Sequence, residues 1–204
     1  FFYLASAFAY LRLFLNRSNS AAFPSYILIV TQLFHAAELL ARGAEAGAAG
    51  GAPFSGLSGF ISLFSFLLGT VYLFIERRYK LYPLGAFQTP VIFVFHLVST
   101  VIKPDVLSIP PLHTGMLFVL HVVPAIMSYA SLTVSFVAAA AFLLLENRIK
   151  KKKFGLLMKN LPHLELVEAV NAAGVKIGVL LLVISASVGT FMGYRYLGES
   201  YQWD

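Results

Sequence analysis

Histidine is the residue type in this chain best suited to chemistry inside a membrane. Four of the five histidines fall at or near one predicted face of a membrane bundle, namely His35, His96, His113 and His121. Imidazole is costly in hydrocarbon, so several imidazoles at one depth indicate a metal or haem ligand, a proton path or a polar contact between helices. For any one histidine taken alone, the residues leave these three interpretations open.

The composition places those histidines in an integral membrane protein. The 204 residues are 59% hydrophobic and only 12% charged, about half the charge of an ordinary soluble domain. The net charge of +6 comes without a separate Lys/Arg-rich arm, so it indicates basic loops at a membrane and no nucleic-acid partner. The chain has no cysteine, which excludes disulfides, thiolate-bound zinc and iron–sulfur clusters.

Hydrophobic segments long enough to cross a bilayer predict an all-α, polytopic membrane bundle of about six transmembrane helices in a single domain. The predicted spans are 1–15, 24–41, 56–75, 84–102, 114–146 and 166–195. The stretch from Gly43 to Gly51 is rich in Gly and Ala and is predicted to be a flexible connector. Both ends of the sequence lie next to apolar segments, so we expect further chain beyond each of them.

The distribution of Lys and Arg predicts the orientation of these spans. Ten of these residues fall on one side and three on the other, which assigns the Lys/Arg-rich side to the cytoplasm. The ten are Arg17, Arg77, Arg78, Lys80, Arg148, Lys150, Lys151, Lys152, Lys153 and Lys159, and the three are Arg42, Lys103 and Arg195. Residues 196–204 are then expected on the outer side.

In this topology His35, His96 and His121 come from three helices at a similar depth near the outer leaflet, and His113 lies at the surface. A haem with two histidine ligands needs imidazole nitrogens about 4 Å apart across the iron, on facing helices. The alternative is that each imidazole hydrogen-bonds a neighbouring helix. Glu38 and Arg42 share a helix face with His35, so Glu38 either orients that imidazole or pairs with Arg42.

Several short motifs carry a resemblance to a known family. The segment Leu120-His121-Val122 is followed by Tyr129-Ala130 and by Phe142 to Glu146, ahead of the lysine run. The other matching stretches, in order, are His35, Ala52 to Ser55, Glu76 to Tyr79, Gly85 to Phe87, Leu161 to Glu165 and Trp203-Asp204. This pattern resembles the cytochrome c assembly family, in the branch of CcsA, ResC and HemX-like haem-handling membrane proteins.

The resemblance implies a haem site on the outer side. In that family a tryptophan-rich segment, the WWD region, cradles haem between two histidines. By resemblance His121 is an axial ligand of a non-covalent haem b, and residues 198–204 begin the WWD region, with Tyr201, Trp203 and Asp204 against the porphyrin. The second outer histidine would follow Asp204, while His35 and His96 would serve a second site inside the membrane.

The function implied by this resemblance is a membrane protein of cytochrome c biogenesis that binds haem and presents it at the outer leaflet of the bacterial inner membrane. Its partners would be lipid, apocytochrome c and another membrane protein of cytochrome c assembly. Whether it is an enzyme, as a component of a cytochrome c haem lyase, stays open. Two alternatives remain: a HemX-like regulator of haem biosynthesis, favoured by the single tryptophan of 198–204, and a structural subunit of a respiratory or photosynthetic complex.

Overall fold

The predicted all-α membrane bundle is confirmed. A computed structural model describes residues 1–16, 22–48, 56–102, 116–152 and 164–197, and this part of the chain is helical without strands. The helices are α1 (Phe2–Leu15), α2 (Phe23–Ala48), α3 (Gly56–Tyr79), α4 (Gly85–Val101), α5 (Met116–Lys150) and α6 (Leu164–Leu197). A 3₁₀ turn at Tyr82–Leu84 leads into α4.

Five of these helices are long and apolar enough to cross a membrane, and α1 is a shorter apolar helix. With 14 residues, α1 is about 21 Å long, less than the roughly 30 Å of a hydrocarbon core. Its buried positions Tyr3, Ser6, Tyr10 and Leu13 recur every three or four residues, so one face of α1 packs against the bundle.

The second helix is longer than its predicted span of 24–41. It continues to Ala48, so residues 43–48 of the expected flexible connector are helical. Alanine has the highest helix propensity and supplies three of these six positions, which offsets the cost of about 1 kcal/mol at each glycine. The remaining connector residues, 49–55, lie outside the described part of the chain.

The helices form two groups that meet at α3. In the first group, α4 packs on α1 and α3, and α2 packs on α1 and α3. In the second, α5 and α6 form a long antiparallel pair, with α5 also contacting α3. Helix α6 has little contact with the first group and leaves large apolar side chains such as Leu180, Val183 and Phe191 exposed, as suits a lipid-facing surface.

Small residues set the close approach of α5 and α6. A Cβ atom added to Gly174 would lie 2.8 Å from Ser135 Cβ and 2.9 Å from the Ser131 carbonyl oxygen. One turn further, a Cβ on Gly178 would lie 2.8 Å from Leu132 Cγ. Because lipid is as apolar as the helix surfaces, such backbone contact is a main source of attraction between membrane helices.

Candidate functional site

His35 is buried at the junction of α1, α2 and α3, and both of its ring nitrogens have partners. Tyr3 of α1 donates its only hydroxyl proton to Gln32 Oε1, so His35 Nδ1 must donate to Tyr3 Oη at 2.7 Å. His35 Nε2 then accepts from the Ser62 hydroxyl of α3 at 3.0 Å. These contacts assign the neutral Nδ1–H tautomer and make His35 a polar link between three helices.

Gln32 extends this network across to α3. Its Nε2 atom donates to the Phe66 carbonyl oxygen at 2.8 Å and lies 3.1 Å from Thr70 Oγ1. Gly69 leaves the space for this amide, since a Cβ there would lie 2.6 Å from Gln32 Nε2. The amide therefore satisfies its own polar groups while it holds α2 and α3 together.

His96 of α4 packs directly against this network. Its ring centroid lies 4.6 Å from that of His35, at an interplanar angle of 67°, and 4.9 Å from that of Tyr3. His96 Nδ1 is buried and has no hydrogen-bond partner within the described ranges. This contact between the two rings agrees with the prediction that α2 and α4 bring His35 and His96 to a similar depth.

The His35–His96 pair does not fit a haem held between its rings. An iron between them would need nitrogens about 4 Å apart with the porphyrin plane in the gap, whereas the two imidazoles are in van der Waals contact. The two nitrogens of His35 are also already hydrogen-bonded. A cofactor role for His35 and His96 stays a prediction, and their observed contacts are those of an interhelical polar cluster.

His121 lies on α5 and contacts α6. Its Nδ1 lies 2.9 Å from the Ser185 carbonyl oxygen, and the Ser185 hydroxyl donates to the His121 carbonyl oxygen at 2.8 Å. A carbonyl only accepts, so Nδ1 carries the proton, and the Nε2 lone pair has no hydrogen-bond partner among the described residues. Metal-bound histidines typically show this arrangement, with the second nitrogen donating to a backbone carbonyl, so His121 fits a haem iron through Nε2.

Close packing by Gly189 helps to position the His121 ring. A Cβ atom added to this glycine would lie 2.6 Å from His121 Cε1 and 2.7 Å from Nδ1. Ser185 and Gly189 are one turn apart on α6, so this helix provides both the hydrogen bond and the surface against which the imidazole rests. The sequence alone did not connect either residue with His121.

The other predicted site residues lie outside the described ranges. These are Tyr201, Trp203 and Asp204, and His113, which was predicted to be a surface residue, also lies outside them. Their predicted roles stay predictions. Among the described residues, no group of three or more His, Cys, Asp or Glu side chains is arranged to hold a metal ion.

The interfacial ion pair on α2 is confirmed. Arg42 Nη2 lies 2.6 Å from Glu38 Oε1, and both side chains are about one-third exposed. Glu38 therefore pairs with Arg42 at the i,i+4 spacing, and no hydrogen bond to His35 is found within the described part of the protein.

A second polar cluster surrounds Glu76, whose role the sequence did not predict. The carboxylate is fully buried and accepts from three hydroxyls: Tyr10 at 2.7 Å, Tyr72 at 2.5 Å and Ser25 at 2.5 Å. These donors lie on α1, α3 and α2. In the sequence, Glu76 is visible only as an acidic residue next to an apolar segment. Only the packing of the helices shows which hydroxyls surround its carboxylate.

Gly85 belongs to the same cluster at the start of α4. A Cβ atom there would lie 2.2 Å from Tyr10 Cδ1 and 2.6 Å from the Tyr72 hydroxyl oxygen. The helix backbone therefore rests directly against both tyrosines, so the Glu76 cluster contacts all four helices of the first group.

These features define a multi-pass membrane protein with polar clusters inside its helical bundle. A model of the family described as "Cytochrome C assembly protein" matches residues 54–204, about three quarters of the chain. The chain belongs to the cytochrome c assembly protein family, as its motifs indicated.

Over 110 residues the chain is 27% identical to "Protein HemX" of Brevibacillus brevis. The matched stretch covers 53% of this chain and 40% of that protein, so the chain spans less than half of its relative. No solved structure matches the chain.

Proposed function

We propose that this protein binds haem b through His121 and presents it on the face opposite the Lys/Arg-rich loops during cytochrome c assembly. The observation that carries the proposal is the hydrogen bond from His121 Nδ1 to the Ser185 carbonyl, which leaves Nε2 for iron. Family membership supports the same role. Apocytochrome c and another membrane protein of cytochrome c assembly are the proposed partners.

In this role the protein holds and orients haem, and the haem when bound supplies the porphyrin that cytochrome c maturation requires. His121 lies five residues after the start of α5 at Met116, about 8 Å along that helix, so the residue that would hold the haem is near the end of α5 opposite the Lys/Arg-rich loops. Residues Tyr201, Trp203 and Asp204 follow α6 and are proposed to contact the porphyrin from the membrane surface. The outer, periplasmic location of this face is part of the proposal.

Replacing His121 with alanine tests the proposal. We expect the wild-type protein, purified in mild detergent, to show Soret bands that shift on reduction, and His121→Ala to lose most of this absorbance because the iron loses its ligand. Phe136→Ala, which changes an exposed side chain of the same helix about four turns from His121, is the control and should retain the bands. No haem in the wild-type protein, or unchanged spectra in His121→Ala, would contradict an axial role for His121.

Replacing Gly189 with alanine tests whether this glycine positions the His121 ring for haem binding. Gly189→Ala should lower haem affinity about 10-fold to 100-fold, since the new methyl group displaces the imidazole and weakens its bond to Ser185. Titration with haemin, followed by the Soret band, measures the affinity, and circular dichroism reports the helix content. Ser187→Ala, an exposed change on the same helix, should bind as the wild type does. Equal affinity in Gly189→Ala would show that this contact does not position the ring.

The similarity to "Protein HemX" favours one alternative function, a non-enzymatic regulator of haem biosynthesis. Such a protein would contact a soluble enzyme of haem biosynthesis through its Lys/Arg-rich face, where α5 ends in the exposed Arg148 and Lys150. A pull-down distinguishes the two roles. The haem-presenting protein should retain apocytochrome c added to the opposite face, whereas a regulator should retain the soluble enzyme and lose it in Arg148→Gln/Lys151→Gln.

A further inference from the structure

A groove runs between α2 and α3 on the outside of the bundle, away from His121. It encloses a volume of about 560 Å³, within the range of roughly 300–1,000 Å³ typical of small-molecule sites. Its walls are mostly apolar and come from Ile29, Leu33, Ala36, Phe66, Leu73 and Phe74. Leu33 and Phe74 are each 65% exposed at its rim, so the groove opens where the protein meets the hydrocarbon of the bilayer.

The two ends of the groove differ in charge. Arg77 and Arg78 line the end nearest the Lys/Arg-rich face, and both side chains are exposed. Neither forms an ion pair with an acidic residue in the described ranges, although Arg78 lies 5.7 Å from the Tyr79 ring. Two guanidinium groups at the membrane surface complement an anionic headgroup, and arginine in particular can bind phosphate through two parallel hydrogen bonds.

The length of the groove corresponds to one leaflet. Phe66 and Arg78 are twelve residues apart on α3, about 18 Å along the helix, whereas one leaflet contributes about 15 Å of hydrocarbon. An amphiphile whose charged end lies at the arginines would therefore extend its apolar part to Phe66. Phe66 also contacts the His35 ring, with centroids 5.6 Å apart, so the inner end of the groove adjoins the histidine cluster.

We propose that this groove binds one anionic phospholipid, with its phosphate at Arg77 and Arg78 and one acyl chain lying against α2 and α3. Arginine charge selects the headgroup, the apolar walls hold the chain, and Gln32 at the groove floor keeps the two helices joined. The bound phospholipid belongs to the membrane leaflet on the Lys/Arg-rich side. The proposal is independent of haem binding, because none of its residues contacts His121.

The experiment is native mass spectrometry of the full chain released from nanodiscs that contain equal parts of phosphatidylglycerol and phosphatidylcholine. We expect the wild-type protein to retain one phosphatidylglycerol in preference. Each arginine near the surface contributes about fivefold to this preference, so Arg77→Gln/Arg78→Gln should abolish most of it. The matched control, Arg148→Gln/Lys151→Gln, removes the same charge from the same face outside the groove and should keep the preference.

A second variant tests the apolar part of the site with the charges intact. Leu33→Trp places a larger side chain in the groove at an exposed position, so it should fold normally and lose the retained lipid. Equal retention of both lipids by the wild type, an equal loss in the control, or unchanged retention in Leu33→Trp would overturn the proposal. A bound molecule with the mass and Soret band of a carboxylated tetrapyrrole would also overturn the proposal, because the groove would then bind a tetrapyrrole and not a phospholipid.

Discussion

Replacing Glu76 with alanine is expected to lower the free energy of unfolding by about 3 kcal/mol. The carboxylate accepts hydrogen bonds from Tyr10, Tyr72 and Ser25, and two of these donors lie on other helices. Alanine removes the shared acceptor, so three buried hydroxyls lose their hydrogen bond to the carboxylate in the interior of the bundle. Hydrogen bonds between membrane helices contribute about 0.6 kcal/mol each on average, and the unpaired hydroxyls and the new cavity add to that loss.

The measurement is reversible unfolding in mixed micelles with increasing sodium dodecyl sulfate, followed by circular dichroism. Glu76→Gln keeps the side-chain volume and one carbonyl acceptor, so it should lose only about 1 kcal/mol. Glu165→Ala removes an exposed carboxylate from the first turn of α6 and provides the matched control. If Glu76→Ala unfolds within 0.5 kcal/mol of that control, roughly the scatter of ordinary surface changes, the Glu76 cluster does not stabilise the bundle.

Replacing Gly174 with leucine should have an effect at least as large, above about 3 kcal/mol, because it separates α5 from α6. Even a Cβ atom at this position would lie 2.8 Å from Ser135 Cβ and 2.9 Å from the Ser131 carbonyl oxygen. These neighbours include backbone, so they cannot give way by changing a rotamer. The hydrogen bond from the Ser135 hydroxyl to the Asn171 carbonyl oxygen, 3.0 Å long, should break at the same time.

The chain has no cysteine, so pairs of spin labels can be introduced without background. Labels at Asn147→Cys and Glu165→Cys, both exposed, report the distance between the ends of α5 and α6. Gly174→Leu should lengthen and broaden that distance, and Gly174→Ala should lose about 2 kcal/mol with a smaller change. Ala172→Leu introduces the same side chain at an exposed position and should change neither quantity. An unaltered distance in Gly174→Leu would refute the close-packing argument.

The helical bundle could be predicted from the sequence with only local errors. A membrane helix satisfies its own backbone hydrogen bonds, so length and hydropathy alone identify a span. The errors lie at helix ends, as at α2, where residues 43–48 have no hydrophobic signal but still follow the helix into an alanine-rich stretch. Helix ends depend on local propensity and on contacts beyond the apolar core, which hydropathy does not measure.

The candidate sites could be predicted only in part. Position along a helix follows from residue number, so the similar depth of His35 and His96 could be anticipated. The direction in which each imidazole points could not. Tyr3 and Ser62 lie 32 and 27 residues from His35, and their contact depends on how three helices rotate against one another. Glu76 was overlooked for the same reason, since its donors come from three helices.

The sequence by itself determined that the chain crosses a membrane and that it belongs with the cytochrome c assembly proteins. Those properties depend on composition, local order and short motifs. Only the tertiary structure decided that His35 and His96 pack ring against ring while His121 turns to Ser185. The physical reason is that the packing and rotation of the helices determine which polar groups and rings lie within reach of each imidazole, and residue order does not.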